Sequence, residues 1–553
     1  PDIVDELQEN WKFWEELPDT PDRFVQVRDV HQGIGVLHTM LLKKENYRMM
    51  VGGDGSCMGC GEKTAAHLVV SAIEASLQPH VESFVEKLDD LIEKLDSKAR
   101  LLLAKDVDLD GASSSAQVGI ELAGENKDRL AHLTKLLKGL KDLKWRYTSG
   151  PSGHGRAALG MTNATGCSSV WGSTYPYNPY PFPWANHLFQ DAPSLAIGIF
   201  EGHMRKMGDN FALVRRAELE VEDSYDPGAH DDFFEAFNYE QFTDEEFLLC
   251  PPIVAMGGDG AMYDIGFQNL SRLLASGKPL RVVVLDTQVY SNTGGQACTS
   301  GFSGQVSDMA MYGKAQHGKT EPRKELSLIA MAHRTSYVLQ TSQALPAHMV
   351  SGILRGLASR RPAIFNIYTP CQTEHGIPDD ASEHHAKLAL ESRAVPFMIY
   401  DPDAGTTLTD RLDLDGNPAI DEDWPTYELS YKDENGKEQT MTLPLTIADW
   451  AATEKRFAKH FKKPKPGKLD SELVPYHEYL KLDGEETQGK TPFIYVLTKD
   501  GQLGRLLVAE EIVALGRERL DFWNELREMS GDRVSDDVRD RISAEKEQEF
   551  EAR

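Results

Sequence analysis

Two stretches of this chain carry residues that can hold ions or phosphate, and both are built on the same four letters. GGDGSCMGCG, residues 52–61, sets a glycine-aspartate turn directly before the Cys-x-x-Cys pair Cys57 and Cys60. GGDGAMYDIG, residues 257–266, repeats the turn without cysteines. A carboxylate on a glycine turn at the carboxyl end of a parallel strand is well placed to hold Mg²⁺, and the glycines let the backbone approach a diphosphate at the next helix N-terminus. DTQVYSNTGGQ ends the strand expected next, so Asp259 and Thr287 can meet one ion from neighbouring strand ends, with Asn292 beside them. On its own GDG reads equally well as a structural turn. A lone Cys-x-x-Cys fits half a zinc site or a redox pair as well as part of a cluster.

The elements that must position these residues follow from hydrophobic periodicity. PPIVAMGGDG reads as a buried strand and turn, DIGFQNLSRLLASG as an amphipathic helix ended by Gly277, and LRVVVLD as the next buried strand. Strand, helix and strand with short joints predict a right-handed βαβ unit of a parallel sheet. RPAIFNIYTPC, reaching Cys371, is a further strand of the same kind, and MMVGGDG reads as a strand running into a tight loop. Two helical stretches intervene. Val81, Phe84, Val85, Leu88, Leu91, Ile92 and Leu95 share one helix face, and Leu130, Leu133, Leu136, Leu137, Leu140 and Leu143 another, which predicts an antiparallel hairpin. Between them DVDLDG, residues 106–111, opens like an EF-hand calcium loop, but the twelfth position is Gln117 rather than Glu, so an acidic solvated turn is the expectation. Beyond about residue 395, hairpins turning at Asn435-Gly436 and Asp500-Gly501 lead into a helix, and no chemistry is legible there.

Composition bounds the rest. At 553 residues, two or three domains are expected. The formal charge of −28 argues against nucleic acid and anionic membrane as partners, since both require clustered Lys and Arg. Six cysteines in such a length make a poor disulfide framework and predict reduced thiols and a cytoplasmic setting. The opening residue, Pro1, is consistent with processing or with a longer polypeptide. The 17 histidines include no HExxH, and Walker, G-x-G-x-x-G dinucleotide and G-x-S-x-G signatures are absent.

GGDGAMYDIGFQNLSRLLASG followed by LDTQVYSNTGGQ resembles the thiamine diphosphate motif of the pyruvate:ferredoxin oxidoreductases, in the 2-oxoacid:ferredoxin oxidoreductase superfamily. CMGCGE, NATGCSSVWGSTYP, WANHLFQDA and YTPCQTEHG resemble further segments of the family in the same order, over roughly residues 50–78 and 150–380. The resemblance implies that Asp259, Thr287 and the Val289 carbonyl hold Mg²⁺ and that Asn292 lies between cofactor and substrate. It implies that Glu62, Gly166 and Gly258 line the diphosphate and thiazolium region, with Gly61, Gly260 and Thr293 beside them. Glu62 and Asn292 are the catalytic candidates. It also implies that Cys57, Cys60, Cys167 and Cys371 ligate a [4Fe-4S] cluster; Cys250 and Cys298 are left as core or loop thiols, Cys298 standing where the family has a serine.

The activity so implied is reversible oxidative decarboxylation of pyruvate to acetyl-CoA and CO₂, with coenzyme A as co-substrate and electrons passing to ferredoxin or flavodoxin. Alternatives are another 2-oxoacid such as 2-oxoglutarate, or a non-redox thiamine-dependent decarboxylase or synthase. The expected fold is α/β: a thiamine diphosphate-binding domain with a parallel sheet flanked by helices, in residues 1–78 and 150–395. The helical hairpin is its insertion at 79–149, and an α+β extension of unknown role covers 396–553. Three departures stand out. The hairpin separates Cys60 from Cys167, nothing resembles the domain that binds the 2-oxoacid and aminopyrimidine, and no ferredoxin-like C-x₂-C-x₂-C run is present. The expected partners are therefore further subunits or domains that supply these parts, in a multimeric complex.

Overall fold

The computed structural model describes residues 2–25, 36–105, 124–172, 178–187, 191–308, 318–464 and 471–551. DVDLDG falls outside the described residues.

Apolar runs without alternation build the centre of the molecule. Eight strands form one sheet: β1 (Gly160–Asn163), β2 (Trp184–Asn186), β3 (Ile253–Gly258), β4 (Arg281–Asp286), β5 (Tyr337–Ser342), β6 (Ala363–Tyr368), β7 (Met398–Tyr400) and β8 (Leu412–Asp413). Their spatial order is β8-β7-β5-β6-β4-β3-β1-β2. All six residues of β4, of β5 and of β6 are buried, as a sheet covered on both faces requires. The six strands from β5 to β2 pair in parallel, whereas β7 pairs antiparallel with β5 and β8 antiparallel with β7. The sheet is thus mixed rather than wholly parallel. The chain enters β7 from the Ser382–Glu391 helix through the short joint 392–397, and β7 pairs antiparallel at the edge of the sheet.

The expected βαβ unit is present, with β3 and β4 adjacent and joined through the Phe267–Leu274 helix. A π-helical turn, Gly260–Ile265, comes between β3 and that helix. Such widened turns carry an extra residue and are frequent at functional sites. No strand forms at MMVGGDG: residues 51–53 are irregular, and Gly52 and Gly53 have φ of +82° and +80°, a left-handed path that no strand follows. Strands β1, β2 and β5 escape the periodicity argument, β1 and β2 because three or four residues are too few to show a period.

Two long helices, Gly61–Lys105 and Gly124–Thr148, pack on each other and on the Ala192–Val221 helix. The apolar stripes meet as the spacing requires: Leu88, Leu95, Leu133 and Leu140 are fully buried, with Phe200 and Phe211 in the same cluster. The first helix begins at Gly61 and runs through Pro79, so no helix end marks residue 79.

After β8 come a hairpin, Thr426–Lys432 with Glu438–Pro444, and a four-stranded sheet containing Lys490–Leu497 and Leu503–Val508. Helices Glu510–Ser530 and Asp536–Glu551 follow. Trp450, Phe457 and Ile512 of this part share one apolar cluster with Phe302 and Tyr368, so it packs directly onto the end of the central sheet. Among the described residues no helix is long and apolar enough to cross a membrane.

Candidate cofactor site

Four adjacent parallel strands, β6, β4, β3 and β1, deliver the candidate residues other than Cys57, Cys60, Gly61 and Glu62 from their carboxyl ends, where ligands of open α/β sheets bind. Strand β3 ends at Gly258, and Asp259 caps the π-helical turn by accepting the Gly260 N–H at 2.9 Å. Strand β4 ends at Asp286, followed by Thr287 and Val289. Three oxygens converge here. The Thr287 hydroxyl lies 3.4 Å from Asp259 Oδ1 and 3.0 Å from the Val289 carbonyl. Carboxylate, hydroxyl and carbonyl are the hard oxygen donors that Mg²⁺ prefers.

Asp259 is 2% exposed. Burial, and then the nearby Asp286, push its carboxyl well above the usual range, although Ser300 and the Gly260 N–H donate to it. A carboxylate this deep in the fold favours a cation beside it. Asp286 has its own counter-ion in buried Arg323, 2.6 Å away. The oxygen set therefore fits a divalent ion.

The same loops line one cleft with Glu62, Gly166, Cys167, Gly258, Asn292 and Thr293. Glu62 is buried at the start of the Gly61–Lys105 helix, and desolvation raises its carboxyl to about 7 while the Trp171 indole N–H donates to Oε2 at 3.3 Å. Gly166 has φ +153°, and a Cβ there would point at the Gly258 N–H, about 4.0 Å away, narrowing the cleft between the two backbones. These bare backbones make a cradle suited to a diphosphate.

The cysteines sit on the flank of the cleft. Gly61 abuts the loop after β6, where an added Cβ would stand 2.7 Å from the Pro370 carbonyl. The Gln372 amide donates to the Met58 carbonyl, and the Ser382 hydroxyl donates to the Gly59 carbonyl at 2.6 Å, tying the Cys-x-x-Cys loop beside Cys371. Cys167 opens the short helix that ends in Trp171, which reaches Glu62. Burial pushes the Cys167 thiol up, and Glu62, Cys371, Cys60 and Cys57 push it further, so all four sulfurs lie within electrostatic reach. Burial likewise raises Cys60 to about 11 and Cys371 to about 12. Among the described residues no three His, Cys, Asp or Glu side chains close on a point as a single-ion site would. Thiolates are the soft donors that iron–sulfur clusters and zinc both take.

Several residues of the site carry no motif. Ser300 donates to Asp259 Oδ2 at 2.6 Å and stands 3.3 Å from the Cys298 sulfur. Ser291 is 2.6 Å from the Thr287 hydroxyl, and the His375 Nε2–H donates to the Thr287 carbonyl at 2.8 Å. SNT and CTSG contain these serines in plain sight, but only the loop path reveals that they turn inward. Cys298 is buried behind Ser300, and Cys250 is buried in the large helical cluster, away from the four clustered thiols.

Residues 248–367 match the family described as thiamine pyrophosphate enzyme, C-terminal TPP binding domain. The chain is 28% identical over 312 residues to the pyruvate:ferredoxin oxidoreductase of Moorella thermoacetica, covering 49% of this chain and 25% of that protein. It is 29% identical over 324 residues to a probable pyruvate-flavodoxin oxidoreductase of Escherichia coli, covering 54% and 27%. It is 29% identical over 291 residues to the mitochondrial pyruvate dehydrogenase [NADP(+)] of Euglena gracilis, covering 46% and 16%. The chain thus spans about a quarter or less of the length of these relatives.

Proposed function

We propose that this chain, a member of the 2-oxoacid:ferredoxin/flavodoxin oxidoreductase family, is the part of such an enzyme that binds thiamine diphosphate, Mg²⁺ and a proximal [4Fe-4S] cluster. The substrate we infer is pyruvate, converted with coenzyme A to acetyl-CoA and CO₂, and the acceptor ferredoxin or flavodoxin. The convergence of Asp259, Thr287 and Val289 oxygens, at the edge of a cleft that Asp259, Val289, Glu62 and Cys167 line, is the observation that carries this reading.

When bound, the thiamine would supply the carbanion chemistry that lets a 2-oxoacid lose CO₂, and the cluster would supply a one-electron acceptor. The chain's own residues do the positioning. Asp259, Thr287 and the Val289 carbonyl would hold Mg²⁺, and the bare backbones of Gly166 and Gly258 would take the diphosphate. Buried Glu62 keeps its carboxyl fixed through the Trp171 N–H, so it presents one orientation to the cleft. Cys57, Cys60, Cys167 and Cys371 would ligate the cluster, with Cys167 touching both sites because it lines the cleft. Asn292 and Thr293 are exposed on the cleft's outer lip, where a substrate and a covering domain would arrive. The relatives' greater length leaves room for that domain, and we infer obligate partner subunits or domains in a multimeric complex.

The reading is tested by purifying the chain with its partners without oxygen and measuring coenzyme A-dependent reduction of a viologen dye with pyruvate and with 2-oxoglutarate. Reduction with pyruvate supports it. Reduction with 2-oxoglutarate alone would move the substrate, and CO₂ release without dye reduction would favour a non-redox decarboxylase.

A further inference from the structure

We infer that the part of the chain beyond residue 396 is a clamp on the Mg²⁺-binding loop, with Arg456 as the positioning residue that acts through Gln288. The inference rests on the metal reading of Asp259, Thr287 and Val289 given above.

Gln288 sits between two of the proposed ligands and has φ +63°. A left-handed backbone costs a non-glycine residue on the order of 1–2 kcal/mol, so something must hold it there. Three bonds do. Its N–H donates to Asp286 Oδ1 at 3.0 Å, its carbonyl accepts from Gln305 Nε2 at 2.9 Å, and its side-chain oxygen accepts from Arg456 Nη2 at 2.6 Å. The φ of this one residue sets where the Thr287 and Val289 carbonyls point. A relaxed Gln288 would swing the Val289 oxygen away from the Thr287 hydroxyl.

Arg456 is itself fixed. Its Nε donates to Glu454 at 2.6 Å, its Nη1 donates to Gln305 at 3.3 Å, and its own carbonyl accepts from the Val306 N–H at 3.0 Å. Arg456 and Glu454 are 4% and 1% exposed, so this is a dry pair that cannot exchange with water. Glu454 also faces His375 at 3.5 Å and His385 at 3.7 Å, and His375 in turn donates to the Thr287 carbonyl. One short segment therefore grips both peptides that flank the ion. A buried charge network of this kind is a poor source of stability compared with apolar packing, which argues that its geometry rather than its energy is what the fold keeps.

The test is Mn²⁺ binding to the full chain with thiamine diphosphate present, followed by electron paramagnetic resonance, beside thermal unfolding and iron content. Gln288→Asn tolerates the left-handed conformation, cannot reach Arg456, and leaves the Glu454–Arg456 pair whole, whereas Arg456→Gln strips buried Glu454 of its counter-ion. We expect about tenfold weaker Mn²⁺ binding in Gln288→Asn and in Arg456→Gln, with unchanged iron, and a double variant no weaker than the worse single one. Arg393→Lys is the control: this buried arginine bonds the Pro418 and Ala419 carbonyls in the same part of the chain, and its loss should lower the unfolding temperature without changing Mn²⁺ affinity. Wild-type affinity in Gln288→Asn, with affinity lost in Asp259→Asn, would overturn the clamp alone. Equal affinity losses in Arg393→Lys and Arg456→Gln would overturn it too. No Mn²⁺ bound by the wild type would overturn the metal reading itself.

Discussion

The Thr287 hydroxyl, just past the end of one strand, stands 3.4 Å from the carboxylate of Asp259, just past the end of its neighbour. The pair joins two loops whose sequences are 28 residues apart, and Asp259 lines the cleft. A buried carboxylate supplies the only full charge in the proposed ligand set. Asp259→Asn should therefore weaken Mg²⁺-dependent thiamine diphosphate binding by about 100-fold or more, measured by calorimetry, with iron content unchanged. Binding within about threefold of wild type would place the cation elsewhere.

Gly260 packs against the Tyr290 ring so closely that a Cβ there would run into it. Tyr290 also lines the cleft, beside Val289 and Ser291. Gly260→Ala should push the Tyr290–Ser291 loop outward and weaken cofactor binding about tenfold, while the unfolding temperature moves little because the ring can shift toward solvent. An unchanged affinity would show that the turn, not the missing side chain, is what the position needs.

The helical hairpin separates packing from chemistry. Leu140 is fully buried among Leu88, Leu133 and the Ala192–Val221 helix. Leu140→Ala should cost about 2–5 kcal/mol in the unfolding transition of that region, followed by urea denaturation, yet leave cofactor affinity and iron content at wild-type values. Loss of either at temperatures where the variant is folded would give the hairpin a part in the site.

His348 makes stability depend on pH in a way the site does not. Burial, with help from Arg355 and against Asp413, lowers it to about 4; its Nδ1 meets the Thr341 hydroxyl at 3.0 Å and its ring stacks on Phe397. A folded value below the unfolded one means the unfolded chain binds the extra proton. Its contribution is therefore fully present above about pH 6.5 and is lost as the pH falls from there towards about 4. By pH 5 the loss should reach about 2 kcal/mol in wild type relative to His348→Asn, read from denaturation at pH 7 and pH 5. Parallel pH profiles for the two proteins would contradict this.

The chemistry-bearing loops were legible because each is local. A glycine turn at a strand end declares itself within GGDG, and a resemblance along LDTQVYSNTGGQ brings Thr287 and Val289 with it. Cys167 and Cys371 have no local signal and depend on the resemblance alone. The clamp was not legible at all: Arg456 and Gln288 are 168 residues apart, and nothing in EKRF distinguishes a buried arginine from a solvated one. The parallel sheet was legible from IVAMGG and RVVVLD, which are apolar without alternation, but the antiparallel edge was not, since strand direction is a property of the connection and not of the strand.

The proposed cluster on one flank of the cleft, next to the thiamine site, is measured most directly by iron content. The chain purified and reconstituted without oxygen should hold about four irons, with a reduced-state paramagnetic signal that Cys167→Ser weakens or shifts. A colourless chain that binds thiamine diphosphate and Mg²⁺ but retains no iron would contradict the account and leave the four cysteines as ordinary thiols.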